Sequence, residues 1–328
     1  MKFKASFTAP LFCLVIYALF FSLTFFEKPF AQSGGNDYLL VIIIQLLIFI
    51  LPAIIFCRLK GVGYSAKLNI KLFSPSKLGA IISSSLALIF GTIVIRFIQI
   101  YYFNITDFSY SPFQKYIGAD TEYNFLFSAM AFAVMPAITE EFIFRSVILT
   151  EYNEGGYGAF NAVILSSFLC SFMFFSPQSF AVRFLCSVVF ALLTYATGSS
   201  VCALVSHLIF GIYAVFGEKY ILRALSDPSN KIISIFTFTM LFLILTFITF
   251  GEFEHCLRQT GKTGTPSPSY LLKKTDDGKT PDISLTEKSQ HTSSKALSDK
   301  AKMTIEAFFS PTFLISILVY LISLFGFI

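Results

Sequence analysis

The sequence predicts an all-α fold, a polytopic transmembrane helical bundle of about eight or nine spans, and three observations predict it. Hydrophobic residues make up 55% of the 328 and charged residues only 13%. Mean hydropathy is +0.73, far from the norm of soluble chains. The apolar residues also gather into mostly apolar runs of about 20, the length a helix needs to cross a bilayer. The net charge of +5 is modest and suggests no nucleic-acid partner; the lipid bilayer is the partner that composition implies. Phe occurs 42 times and Trp never, so interfacial anchoring falls to Tyr and Phe.

Candidate spans are 5–26, 38–57, 78–103, 124–150, 158–176, 178–198, 200–216, 232–250 and 308–328, with the sixth and seventh close enough for a tight hairpin. Lys2 and Lys4 precede the first run, but its core is too long for a signal peptide and no clear A-x-A site follows, so it reads as an anchor. The loop after the second run holds Arg58, Lys60, Lys67, Lys71 and Lys77 and no acid, which predicts a cytoplasmic loop and a cytoplasmic N-terminus. The loop holding Asp107, Lys115, Asp120 and Glu122 then falls outside.

The expected organisation is 1–122 for the N-terminal spans and basic loop, 123–216 for a core of functional helices, and 217–250 for a further span. Residues 251–307 follow as a polar insertion, and 308–328 as the last span. The insertion is rich in Ser, Thr, Lys and Asp and contains "TGTPSPS". Such a composition buries too little surface to offset the entropy of ordering it, so it reads as a flexible cytoplasmic tether, with a docking role left open. Five of the six cysteines lie in apolar runs, none in a CxxC pair, which indicates neither a disulfide framework nor a thiolate metal site.

Inside the runs, ionisable residues are few: Arg96, Glu140, Glu141, Arg145, Arg183 and His207. Arg96 and Arg183 lie toward run ends, where snorkelling to the interface accounts for them. The stretch "MPAITEEFIFRSVIL" is harder to explain, because an ionised carboxylate in hydrocarbon costs about 2.5–3.5 kcal/mol on insertion scales. Glu141 and Arg145 are four apart, about 40° around a helix, and can pair. Glu140 lies about 140° from Arg145 and is left over. His207, in "CALVSHLIFGIY", stands in mid-run as Glu140 does. A carboxylate and an imidazole at matching depth can share a water and stabilise developing charge; a lone buried histidine can equally be a structural hydrogen-bonding residue.

"TEEFIFRSVIL" resembles the E-E-x-x-x-R signature of the CPBP family (CAAX prenyl protease and bacteriocin-processing type, also called Abi). "ILSSFLCSFMFFSPQSF" resembles the second family motif and "TGSSVCALVSHLIFGIY" the third, in order, over about residues 124–216. The resemblance implies a CAAX-protease-like helical core enclosing a water-filled cavity, and intramembrane endopeptidase activity. It implies that Glu140 activates water, that Glu141 and Arg145 complete the first motif in support, and that His207 is the third-motif histidine. Two motifs depart from the family. The second motif usually runs F-x-x-x-H, and here Cys170 and Phe174 fall on its ends; the third usually runs H-x-x-x-N, and Gly211 replaces the asparagine. Phe174 can neither accept a hydrogen bond, bind metal nor move a proton. Zinc normally takes three protein ligands and an open position, and Glu140 with His207 supply only two.

The leading expectation is thus an endopeptidase acting on a membrane peptide or protein, its activity weakened at Phe174 and Gly211. Two further readings stay open: a pseudoprotease that binds such peptides without cutting them, and an ion- or proton-coupled transporter using Glu140. Against the transporter, no inverted repeat or paired Gly/Pro-broken spans are visible. The resemblance and the compact loops suit a bacterial plasma membrane.

Overall fold

The computed structural model describes residues 4–23, 37–61, 63–64, 67–105, 113, 117, 124–225, 231–261 and 300–324. The acidic loop residues Asp107, Lys115, Asp120 and Glu122, and positions 262–299 of the polar insertion, lie outside the described residues. The described chain forms α1 (Ala5–Ser22), α2 (Asp37–Lys60), α3 (Pro75–Phe103), α4 (Phe125–Glu154) and α5 (Ala159–Phe172). It continues through α6 (Pro177–Thr197), α7 (Ser200–Arg223), α8 (Ile232–Gln259), α9 (Lys300–Phe308) and α10 (Pro311–Ile322). Among the described residues there is no strand. Seven helices of the described residues are long and apolar enough to cross a membrane, and the bent pair α9–α10, with a 47° break, makes an eighth candidate. The protein is an all-α membrane bundle.

Three runs end elsewhere than their composition suggests. The expected span 158–176 yields only the 14 residues of α5, about 21 Å at 1.5 Å per residue against the roughly 30 Å of a hydrocarbon core. It stops because Phe175 turns the chain at a φ of 48°, a left-handed value costly for a bulky residue. Ser176 then accepts the amide of Ser179 as the N-cap of α6, and Pro177 occupies the first turn, where its missing N–H costs nothing. Helix α7 continues past residue 216 to Arg223 and brings Glu218 into the bundle. Helix α8 runs on to Gln259, so positions 251–259 of the expected insertion are helical, and helix resumes at Lys300.

Helix α4 sits centrally, packed against α1, α2, α5, α6 and α7. It is not a uniform α-helix. A wider π turn over Met130–Val134 precedes Pro136, and α2 repeats the device, with a π turn over Leu46–Ile50 before Pro52. A proline removes one backbone donor and its ring presses on the carbonyl four residues back; an opened turn relieves both. A second π segment, Phe142–Ile148, begins directly after the two glutamates. Helix α8 lies along the outer face of α3 with only 6% of its apolar window buried, leaving Ile233, Phe236, Phe247 and Phe250 facing outward as lipid contacts.

The start of α7 is pinned. Gly198 closes α6 in the left-handed conformation at φ 67°, and Ser200 gives both its amide (2.8 Å) and its hydroxyl (3.1 Å) to the Asn69 carbonyl. Ser199 bonds the Lys71 carbonyl, and Lys77 reaches the Thr197 carbonyl at 2.6 Å. Ser146 of α4 donates to Ser200 at 2.9 Å, and Ser206 bonds Ser85 of α3 at 2.8 Å. These bonds fix both the height and the rotation of α7 against α4 and α3.

Candidate active site

With α7 so placed, His207 stands one residue beyond Ser206, at the depth of the two glutamates. Glu141, 1% exposed, is the hub. Its Oε2 meets Arg145 Nε at 3.0 Å and its Oε1 meets His207 Nδ1 at 2.7 Å. Arg145 in turn donates to the Ser187 carbonyl (3.1 Å) and hydroxyl (3.2 Å) on α6, and approaches Cys170 Sγ at 3.8 Å on α5. The His207 ring stacks on Phe190, with centroids 4.8 Å apart and planes at 19°. A single carboxylate therefore joins α4 to α7 and, through Arg145, to α6. The expected Glu141–Arg145 pair is present, and Glu141 is also the residue that holds the imidazole.

Glu140 is not left over. Its Oε2 lies 3.8 Å from Arg183 Nη1, and the Arg183 guanidinium stands 3.8 Å over the ring of Phe174. Phe174, at the expected histidine position, is thus the platform for a cation, and Gly211 is buried in α7 beside Phe210. The snorkelling expected for two arginines is corrected on both counts. Arg183, in the second turn of α6, is turned to the site by Glu140 and by the ring of Phe174. Arg96 gives Nε to Glu218 at 2.8 Å and Nη1 to Gln99 at 3.1 Å, with its side chain 3% exposed. Reading from sequence missed Glu218 by ending that run too early.

Glu140, Arg183 and His207 line one cavity of about 20 Å³, together with Arg96, Arg145, Cys170 and Phe210. A site that size and that polar holds about one water and no peptide. An ionised Glu141 carboxylate accepts from Nδ1–H, and a ring protonated only there offers the cavity an acceptor at its other nitrogen. Among the described residues no three His, Cys, Asp or Glu side chains converge as a metal-ligand set. Zinc at Glu140 and His207 would also have Arg183 3.8 Å from its carboxylate ligand. The donor set does not fit a catalytic zinc.

A family model, type II CAAX prenyl endopeptidase Rce1-like, matches residues 122–213. Residues 122–213 thus resemble an Rce1-like core. That core holds both glutamates, Arg145, Phe174, Arg183, His207 and Gly211, whereas Arg96 and Glu218 stand outside the matched segment. The match makes this segment, rather than the whole chain, similar to that family. No curated protein and no solved structure matches the chain.

Proposed function

We propose that the protein is an intramembrane endopeptidase that hydrolyses a peptide bond of a membrane-associated peptide or protein, with Glu140 activating the water. The observation that carries this reading is the one-water cavity shared by Glu140 and His207 inside an Rce1-like core. Glu140 takes a proton from the water as its oxygen bonds to the scissile carbonyl carbon. When the C–N bond breaks, Glu140 returns that proton to the leaving nitrogen. His207, held by Glu141, accepts the water's second hydrogen and orients it. Glu141 and Arg145 are the frame that keeps the imidazole in place. Because the cavity admits no peptide, cleavage requires substrate to part α6 from α4. The basic end of the bundle faces the cytoplasm, and the membrane is a bacterial plasma membrane.

A second reading rests on the same cavity. Phe174 and Gly211 supply no hydrogen-bonding side chains, and Arg183 already pairs with Glu140, an arrangement that suits a pseudoprotease binding membrane peptides without cutting them. Purified protein in liposomes, given a panel of membrane peptides that includes farnesylated CAAX-type sequences, separates the two. Cleavage that disappears in Glu140→Gln supports the endopeptidase. Saturable binding of the peptides with no product supports the pseudoprotease, and cleavage that survives Glu140→Gln overturns the mechanism.

A further inference from the structure

We infer that the groove between α1 and α2 binds one phospholipid whose head carries both a phosphate and a primary ammonium, phosphatidylethanolamine by class. The groove is separate from the one-water cavity, and the inference does not depend on hydrolysis. It measures about 1370 Å³, above the roughly 300–1,000 Å³ of most small-molecule pockets. Its walls are aliphatic. Leu11, Val15 and Leu19 recur every fourth residue, so they form one stripe along α1, and they are 37–47% exposed. Leu47, Leu51 and Ile55 repeat that spacing on α2 and are 50–55% exposed. Phe12 stacks on Phe56, with ring centroids 4.6 Å apart, and joins the two helices. From Thr8 to Leu19 the α1 wall rises about 16 Å at 1.5 Å per residue, close to one leaflet, half of a hydrocarbon core of roughly 30 Å. That is the reach of one acyl chain.

What separates this groove from ordinary lipid-facing surface is its polar end. Three lysines and three glutamates line it: Lys4, Lys60, Lys67, Glu151, Glu154 and Glu306. They come from the start of α1, the end of α2 and the loop after it, the end of α4, and α9. The inner pair is closed. Glu151 is buried and accepts from Lys60, from Thr8 at 2.5 Å and from Tyr64 at 3.1 Å. The outer pairs are open to water: Lys4 lies 4.0 Å from Glu306, and Lys67 meets Glu154, with all four side chains about half exposed or more. Surface pairs of this kind contribute little, because water and salt compete with them. A zwitterionic head can therefore exchange into them, its phosphate against the lysines and its ammonium against the glutamates. An anionic head would meet as many carboxylates as ammonium groups and gain no net attraction. A choline head has no N–H to donate to Glu154 and Glu306, whereas an ethanolamine ammonium, like that of lysine, has three.

The test is native mass spectrometry of the full chain in detergent, with dioleoyl phosphatidylethanolamine, phosphatidylcholine and phosphatidylglycerol offered at equal concentration. One retained phosphatidylethanolamine is expected, at about tenfold higher occupancy than either competitor, the factor that one hydrogen bond to a charged group supplies. Glu154→Gln with Glu306→Gln should remove the preference over phosphatidylcholine while lipid is still bound. Leu51→Trp, which sets a large ring into the groove wall, should lower retention of all three lipids; Ile82→Trp, at an exposed position of α3, should not. Each variant is melted to check folding. Equal retention of the three lipids, a preference for phosphatidylglycerol, or no retained lipid overturns the inference. So does a lipid-free pair of chains, which would mean that a second copy fills the groove. A preference for phosphatidylethanolamine that survives the double glutamate change overturns the assignment of the head. Should the variants fail to accumulate, the comparison of the three heads on the native chain still decides.

Discussion

Glu140 and Glu141 are neighbours in the chain with opposite duties. Glu141 spends both oxygens, on Arg145 and on His207, inside a region where its own exposure is 1%. Removing one partner of such a buried pair typically costs about 3–5 kcal/mol, because the other charge is left uncompensated. Arg145→Ala should therefore lower membrane accumulation and melting temperature, and the double change Glu141→Gln with Arg145→Met should recover part of the loss. Normal accumulation of Arg145→Ala alongside lost cleavage would move Arg145 from the frame into the chemistry. The i, i+4 spacing made this pair legible in the sequence. The partners of Glu140 and Arg96 were not legible, since Arg183 and Glu218 are distant in the chain and only packing brings them near. A signal was nevertheless present: the three arginines inside the apolar runs, 96, 145 and 183, are matched by the three glutamates 218, 141 and 140. An intramembrane set that balances in number reads better as pairs than as snorkelling side chains.

Helices α3, α6 and α8 meet at Gly91, where a Cβ would stand 2.7 Å from the Phe242 ring and 3.0 Å from Leu185. Gly91→Leu should thus cost about 1–3 kcal/mol through overpacking, read as a lower melting temperature of the purified protein. An unchanged melt would mean that α8 is not seated on α3 as described. A different device holds α7: Ser200 accepts from Ser146 and donates to the Asn69 carbonyl, so Ser200→Ala strands a buried donor, at a cost of about 1–3 kcal/mol. Ser74→Ala, at an exposed position, serves as the control and should melt as the native chain does. At this scale the apolar runs located the helices but not all of their ends. Hydropathy cannot see the turn at Phe175 that shortens α5, nor the helical continuation of α8 into the more polar residues 251–259.

Across the whole molecule, one end of the bundle gathers the basic residues. Lys4 lies 4.0 Å from Glu306, Lys60 and Lys67 pair with Glu151 and Glu154, Ser76 bonds Gln259, and Asn161 reaches the Lys300 carbonyl. The N-terminal helix, the loop after α2, the α4–α5 turn and both borders of the 262–299 segment therefore share that end. Labelling single cysteines introduced at Lys60 and Ser289 should report the same side of the membrane, and the positive-inside rule expects it to be the cytoplasm. Labels on opposite sides would break this order of helices. The central claim is the division of labour between two adjacent carboxylates, and the most direct measurement is to compare melting and cleavage of Glu140→Gln and Glu141→Gln side by side. The account predicts that Glu140→Gln yields no product and loses less melting temperature than Glu141→Gln, because Glu140 meets one arginine at 3.8 Å whereas Glu141 meets Arg145 at 3.0 Å and His207 at 2.7 Å. A Glu140→Gln protein that still cuts at the native rate, or a Glu141→Gln protein that melts unchanged, would contradict it.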